Sequence, residues 1–291
     1  MQVLNNTSAF TVWKSYTSNV EKMNQSMSRL SSGLRIQSAG DDPAGLAQSE
    51  RMRAQYRNSA QAERNIENAV SYYQTSDSWL QKIHDILGRM SELAISANDT
   101  TKSETDRTNL QEEFTQMQAE LRRITDGTNA AAKFNGEALF QGGSAVSLQV
   151  GPDEGQIFTG TSICLTSGVT TSIGTYASHA VTWASLVGSQ GLSISNASIA
   201  GVAVGKINMG IDFISTKRSV IGAQQSRLDH TLEGLRNYED NMRSAESQIR
   251  DVDVASETTE FAKYQVLSEI GTAMLAQANA LPQNVLQLVQ G

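Results

Sequence analysis

Residues 207–249 read INMGIDFISTKRSVIGAQQSRLDHTLEGLRNYEDNMRSAESQI, and this stretch decides the fold class. Large apolar side chains recur in it at every seventh position: Ile207, Ile214, Ile221, Leu228, Leu235, Met242 and Ile249. A seven-residue repeat places its members along one side of an α-helix, where they form a stripe that packs against other helices. The stretch therefore predicts one long helix in a bundle or coiled coil.

Four further stretches carry apolar residues mostly in steps of three and four, the spacing of a helical stripe. The first is Trp13, Tyr16, Val20, Met23, Met27, Leu30 and Leu34. The second is Ile66, Val70, Tyr73, Leu80, Ile83, Leu87 and Met90, and the third is Leu110, Phe114, Met117, Leu121 and Ile124. The last is Leu267, Ile270, Met274, Leu281, Val285 and Leu288. The chain is therefore predicted to be mainly α, a long coiled-coil or helical-bundle hairpin.

Signals for helix starts agree with these stripes. Asp42 followed by Pro43 is typical of an N-cap and a first helical position, so we expect a long helix from there to about Asn98. Ser103 with Asp106 resembles a capping box at the start of the next helix, with aspartate where Glu or Gln is usual.

Two other positions are expected to end or distort helices. Gly127 should stop the third helix, because glycine readily adopts the left-handed conformation that follows many helix ends. Pro282 lies inside the last stripe and should kink or interrupt that helix, because proline lacks a backbone N–H and crowds the preceding turn.

The segment 141–204 differs from the rest in composition. Gly, Ser, Thr and short β-branched runs dominate it, and its only charged side chains are two adjacent carboxylates. Residues 147–150 (SLQV) and 156–159 (QIFT) flank the turn-forming residues 151–155 (GPDEG), which is the pattern of a β-hairpin. The sequence thus predicts a small β-hairpin-rich insert between two helical regions.

Charge is nearly absent from both ends of the chain. Lys14 is the only charged residue among the first 20, and none follows Glu269. Amphipathic helices without charges can be covered on every side, whereas the inner helices carry the Arg and Glu of a solvated face. We therefore expect the ends to lie inside an assembly. An ordinary helical bundle without an assembly role is the alternative on periodicity alone.

The composition excludes several classes of partner. A net charge of -7 without clustered Lys and Arg argues against nucleic acid and gives no attraction to anionic lipid. The sequence has no stretch of about 18 apolar residues, so we expect no membrane span. A single cysteine, Cys164, excludes an internal disulfide. The first residues lack the pattern of a secretory signal, so export is expected to leave the N-terminus uncleaved.

Candidate chemistry is sparse, and we expect no enzyme and no catalytic, cofactor-binding or metal-binding residue. Asp41 and Asp42, adjacent and followed by Pro-Ala-Gly, are interpreted as a turn and a helix cap rather than an acid–base pair. His84, His179 and His230 do not have the spacing of metal ligands. Phosphate-binding glycine loops and nucleophile motifs are missing as well.

Three strings of residues resemble the ends of the bacterial flagellin family. Residues 28–36 (SRLSSGLRI) and 38–47 (SAGDDPAGLA) are similar to its N-terminal signature, and residues 271–279 (GTAMLAQAN) to its C-terminal end. Further matches are FNG at 134–136 and RLDHT at 227–231. Together the resemblance covers roughly residues 1–140 and 205–291.

The resemblance implies a domain organisation. Flagellin termini pair as a coiled coil that lines the inner tube of the filament, which implies this role for residues 1–43 and 252–291. The inner helices form a bundle in the next shell, which implies 44–140 and 205–251. Residues 141–204 correspond to the short β part of that shell, a small surface insert.

The same resemblance implies a secreted, extracellular structural subunit that polymerises into the flagellar filament, the propeller of swimming motility. Its partner would be copies of itself, together with the flagellar export apparatus, the flagellin export chaperone, and hook-associated and cap proteins. The terminal stripes supply the predicted assembly residues: Trp13, Val20, Met23, Met27, Leu30, Leu34, Leu267, Ile270, Met274, Leu281, Val285 and Leu288.

A further patch is implied on the inner helices. Arg89, Glu92 and Leu93 on one helix, with Glu113 on the next, match the surface that the innate immune receptor for flagellin recognises. This sequence has Gly88 and Ser96 at two positions where receptor-activating members share Gln. The alternative is a solvated pair of opposite charges three residues apart on a helix.

Two other functions remain open from the sequence. A hook–filament junction protein shares the terminal helices but joins or caps the filament, and the SGLRI and AQAN strings favour the filament subunit over it. An enzyme displayed on a filament would need a catalytic constellation within 141–204, and that segment lacks one.

Overall fold

The fold is mainly helical, as predicted, with three small β-hairpins. The computed structural model describes residues 6–126, 130–142, 146–165, 172–176, 179–187 and 192–290. The helices are α1 (Thr7–Ser32), α2 (Pro43–Ala97), α3 (Glu104–Thr125), α4 (Trp183–Val187), α5 (Ala197–Arg250) and α6 (Val254–Gln290). The strands are β1 (Lys133–Phe134), β2 (Glu137–Ala138), β3 (Ser147–Gln149), β4 (Ile157–Thr159), β5 (Ser172–Tyr176) and β6 (His179–Thr182).

The predicted helix starts are confirmed by hydrogen bonds. The carboxylate of Asp42 accepts from the backbone N–H groups of Ala44 and Gly45, which would otherwise have no partner in the first turn of α2. Ser103 and Asp106 form a capping box at the start of α3, where each side chain accepts from the other's backbone N–H.

The two predicted helix stops have different outcomes. α3 ends at Thr125 with Asp126 as its C-cap, and Gly127 lies outside the described residues. Of the kink or interruption expected at Pro282, the interruption is wrong, because α6 continues through this position to Gln290. A proline removes only one hydrogen bond from a helix, and the carbonyl that loses its donor can bond elsewhere.

The chain divides into two compact units. The terminal unit comprises Met1–Tyr56 and Glu239–Gly291, and the central unit comprises Arg57–Tyr238. The domain boundaries predicted from the sequence refer to shells of a filament, and they stay a prediction.

The central unit has one hydrophobic core, built from the predicted stripes of α2, α3 and α5. The α5 members in this unit, from Ile207 to Leu235, are all buried, and so are most members of the α2 and α3 stripes. Burial of such side chains contributes about 1.5–3 kcal/mol each to folding. The core stripe of this unit was therefore predictable residue by residue.

The insert contributes to the same core. β3 and β4 pair antiparallel around the predicted turn, with Leu148 opposite Phe158, and Phe158 is buried. On α3 the buried amide of Gln118 donates to the carbonyls of Leu186 and Leu192. These bonds hold the segment that precedes α5 against α3. The insert is thus packed by its apolar side chains and held by a side chain of the bundle.

Helix α5 has one property that a membrane helix shares. Among the described residues it alone is long and apolar enough to cross a bilayer by length and composition, with an 18-residue window of mean hydropathy 1.3. The core helix of a folded bundle passes the same test. Ile207, Ile214 and Ile221 are all buried within the central unit, so its apolar stripe is already covered by protein.

Candidate assembly surface

The terminal unit is built on a pair of antiparallel helices, α1 and α6. Residues that come later in α1 contact residues that come earlier in α6, as expected for an antiparallel pair. The pairs are Asn6 with Ala278, Tyr16 with Gly271, Lys22 with Tyr264, and Arg29 with Glu257. The predicted pairing of the terminal helices is therefore present within one chain.

A glycine makes the turn that leads out of α1. Gly33 has a φ of 72°, in the left-handed region that favours glycine, and its N–H donates to the Arg29 carbonyl at the helix end. The carbonyl of Gly33 accepts from Val252, and the N–H of Arg35 donates to the Arg250 carbonyl at 2.7 Å. These bonds join the end of α1 to the junction between α5 and α6.

Four charged side chains brace this end of the unit. Arg53 bonds Glu246 at 2.9 Å, and Arg250 bonds Glu50. Glu246 and Arg250 are buried, where water is scarce. A buried charge needs a close partner of opposite sign, and each of the two has one. Asp41, nearby in the chain, accepts from the N–H groups of Ser38 and Gln37, and these bonds lower the pKa of its carboxyl.

Helix α6 presents three different faces. Seven of its partly or fully buried residues recur in steps of three and four and mark the face that packs on α1: Glu257, Phe261, Tyr264, Ser268, Gly271, Leu275 and Ala278. The predicted stripe lies on a second face, where Ile270 and Met274 are 52% and 51% exposed and Leu267 is exposed too. A third, polar face includes Gln265, Glu269 and Thr272.

The predicted C-terminal stripe therefore lies beside the contact with α1 rather than in it. Within a single chain its apolar side chains face outward, which leaves surface for another molecule. Leu281, Val285 and Leu288 continue the same spacing, and their side chains lie outside the described residues. We call the exposed surface of Leu267, Ile270 and Met274 the outer stripe.

The predicted stripe of α1 is divided between two surfaces. Val20, Met23, Leu30 and Leu34 are partly buried, and Tyr16 packs against Gly271. Trp13 and Met27 are instead exposed.

The predicted stripes leave out three exposed apolar residues of the terminal helices, Phe10, Val254 and Val266. Phe10 is exposed and stacks on Trp13 with ring centroids 5.8 Å apart, and Val266 is exposed beside Leu267. Phe10 was detectable, because it stands three residues before Trp13 in the same stripe. Val266 stands outside the regular spacing and gave no such signal.

The implied receptor patch is partly assembled on the central unit. The Arg89 guanidinium bonds Glu113 at 2.7 Å and Glu92 at 3.0 Å, and these hydrogen bonds raise the pKa of Arg89. All three side chains are exposed, but Leu93 is only 3% exposed and belongs to the core. The structure thus brings the three charged residues together and keeps Leu93 inside.

Comparison with known proteins agrees with this architecture at both ends of the chain. The family model for the bacterial flagellin N-terminal helical region matches residues 3–145. The model for the C-terminal helical region matches residues 204–289. The part between the two matches corresponds closely to the predicted insert.

Individual relatives cover almost the whole chain. A flagellin of Halalkalibacterium halodurans is 40% identical over 94% of this chain and 93% of its own length. The flagellar filament 31.3 kDa core protein of Treponema maltophilum is 38% identical, with 91% of both chains covered. These two alignments each cover more than nine-tenths of this chain.

A solved structure described as a flagellar hook-associated protein of Vibrio parahaemolyticus shares the fold. It superposes with a TM-score of 0.56 over 72% of this chain and 100% of its own, at 13% identity. A likeness at that identity shows the fold alone, so it does not favour the hook–filament junction. The matches at both ends and along the length show that this chain belongs to the bacterial flagellin family, the structural subunits of flagellar filaments.

Proposed function

We propose that residues 1–43 and 252–291 form the inner shell of the filament, and that the outer stripe of α6 is where the next copy docks. The observation that carries this is the exposure of large apolar side chains on both terminal helices, Trp13 at 52% and Ile270 at 52% among them. Surface of this kind is costly to leave in water, and a neighbouring copy of the same chain would cover it.

The faces of α6 suggest how a subunit is oriented. One face is occupied by α1, the outer stripe is apolar, and the third face carries Gln265, Glu269 and Thr272. We propose that this polar face lines the water-filled lumen. Contacts made between different surfaces of successive copies form an open helical array when the rotation between copies does not close, and such an array grows into a filament.

The remaining shells follow by the same proposal. Residues 44–140 and 205–251 form the bundle outside the inner shell, and residues 141–204 form the outermost surface. The test is a filament reconstruction by electron microscopy, in which the density for α6 must lie at the innermost radius. Density for the insert at the lumen would contradict the assignment.

Ordering of the terminal helices is proposed to accompany assembly. We expect the monomer to have lower helicity than the filament, because most of α1 and α6, helices of 26 and 37 residues, has no partner except the other arm. Circular dichroism of monomer and filament at equal subunit concentration measures the difference. Equal ellipticity in the two states would contradict coupled ordering.

The insert is expected to be the part most accessible on an intact filament. Segments on the outside need not preserve contacts with neighbouring subunits. Limited proteolysis of filaments should therefore cut within residues 141–204 before the terminal helices, with mass spectrometry locating each cut. Cuts in α1 or α6 while the insert stays intact would reverse the radial order.

Secretion and the auxiliary partners are also proposals. A chain with disordered arms suits a narrow export channel, so we propose passage through the flagellar export apparatus with an export chaperone, and contact with hook-associated and cap proteins at the filament ends. We assign the chain no catalytic role. Co-purification of the monomer with the export chaperone from cell extract is the direct measurement.

Recognition by the innate immune receptor would use the exposed Arg89, Glu92 and Glu113. These side chains already bond one another, so a receptor must compete for them, and Leu93 can contribute only from within the core. This chain has Gly88 and Ser96 at the two positions where receptor-activating members share glutamine. Binding of the purified monomer to the receptor's extracellular part decides this question.

A further inference from the structure

The side chain of Asn6 is bonded at both of its polar atoms. Its Oδ1 accepts from the Ala9 N–H at 3.0 Å, which caps the start of α1. Its Nδ2 donates to the Ala278 carbonyl on α6 at 2.9 Å. One side chain therefore begins one terminal helix and holds it to the other.

The acceptor of this second bond is unusual among the carbonyls of α6. In an α-helix a carbonyl accepts from the N–H four residues later, and the residue four after Ala278 is Pro282, which has no N–H. Pro282 is the only proline in α6, so no other carbonyl there loses its regular donor in this way. Ala278 is 7% exposed, which leaves little access for water as a substitute.

The apolar packing of α1 on α6 does not by itself select one alignment. The packed face of α6 repeats in steps of three and four, and that of α1 does the same with Ala9, Val12, Tyr16, Asn19 and Met23. A slip by seven residues would again place a stripe against a stripe. The backbone bonds of Gly33 and Arg35 fix the alignment where α1 ends. At the opposite end of the pair, where α1 begins, a polar contact that can form in only one alignment has the same effect.

We propose that Asn6 is the positioning residue that fixes the register of the start of α1 against α6, by bonding the Ala278 carbonyl that Pro282 leaves without its regular helical donor. The proposal rests on the proposed pairing of the terminal helices in the filament. A slip of one heptad would move Phe10 and Trp13 by about 10 Å along α6. The surface offered to the next copy would then no longer match.

Two substitutions separate the parts of this device. Asn6→Asp keeps a good N-cap acceptor but removes the donor to Ala278. Pro282→Ala gives the Ala278 carbonyl a regular N–H donor, so the helix is intact and the carbonyl no longer depends on Asn6 for a hydrogen bond. Ser8→Asp is the matched control, because Ser8 is exposed in the same turn and the added charge is the same.

Register can be read directly by cross-linking. A Cβ at Gly271 would lie 3.4 Å from the Tyr16 Cβ, close to the roughly 3.5–4.5 Å that a disulfide requires. In a Cys164→Ser background, Tyr16→Cys with Gly271→Cys reports the native register. Tyr16→Cys with Tyr264→Cys, and with Ala278→Cys, report slips of one heptad in either direction. Filaments are oxidised with copper phenanthroline after assembly, and intrachain products are quantified on non-reducing gels.

The expected result is a native pair that dominates in the parent and in Ser8→Asp. The ratio of native to slipped products should fall at least fivefold in Asn6→Asp. It should also fall in Pro282→Ala, although that variant keeps an uninterrupted helix. The concentration needed for assembly should rise about tenfold in Asn6→Asp, because a buried carbonyl loses its donor, and by much less when Pro282→Ala is also present.

The outcomes distinguish the two proposals. If the native pair does not cross-link in parent filaments, the pairing of the terminal helices in the filament is wrong. If it does, and the ratio is unchanged in Asn6→Asp, then Asn6 does not set the register. Should Asn6→Asp fail to assemble, Pro282→Ala decides, and an unchanged ratio there overturns the inference.

Discussion

Replacing Ile270 with aspartate is expected to stop filament growth while leaving the central unit folded. Ile270 stands in the middle of the outer stripe, between Leu267 and Met274, and is 52% exposed in a single chain. If the next copy covers it, the substitution buries an unpaired carboxylate at every subunit contact. A cost of about 3 kcal/mol per contact would raise the concentration needed for assembly roughly a hundredfold.

The matched control is Gln265→Asp, which adds the same charge to the same helix on its polar face. We expect this variant to assemble at close to the parent concentration, because a charge that faces the lumen remains in water. Sedimentation and electron microscopy measure assembly, and thermal melts of the monomers verify that the central unit is unchanged. If Ile270→Asp forms normal filaments, the outer stripe is not part of the interface between subunits. If Gln265→Asp blocks assembly, the polar face lies in an interface rather than against the lumen.

The helices could be predicted from the sequence because their signals are local and repeated. The seven-residue repeat of α5, the cap at Asp42 and the capping box at Ser103 each act within a few residues, and the structure has all three. The hairpin of β3 and β4 was predictable for the same reason, since its turn and its flanking strands are adjacent in sequence.

The partner of each stripe could not be predicted in the same way. The spacing of large apolar residues indicates Leu267, Ile270 and Met274, which form the face that a single chain leaves exposed. The face that packs on α1 contains Gly271 and Ala278, and small residues allow close approach without adding to an apolar pattern. Periodicity shows that a helix has a buried side, but the partner on that side depends on contacts far away in the chain.

Pro282 shows the same limit from the other direction. A local rule expects a proline to interrupt a helix, yet α6 continues through Pro282. The carbonyl that Pro282 deprives of a donor bonds Asn6, 272 positions away in sequence. Similarly, Leu93 matches a receptor patch in the sequence, yet it lies in the core because α2 turns that side inward.

Replacing Ile221 with aspartate is expected to unfold the central unit, in contrast to the effect at Ile270. Ile221 is 1% exposed and lies at the centre of the α5 stripe, with Ile214 and Leu228 buried one heptad away on either side. An unpaired carboxylate there costs several kcal/mol, a large part of the roughly 5–15 kcal/mol that stabilises a folded domain. We expect the melting temperature to fall by about 10 °C or more.

Ala223→Asp is the control for this substitution, because Ala223 is exposed on the same helix two residues further on. It should cost only the lower helix propensity of aspartate, about 0.5 kcal/mol, and should still form filaments. Melts and filament counts together separate the two mechanisms. Ile221→Asp must lower the melting temperature and prevent assembly, whereas Ile270→Asp must prevent assembly with the melt unchanged. An unchanged melt for Ile221→Asp would show that the stripe of α5 is not the core of the bundle.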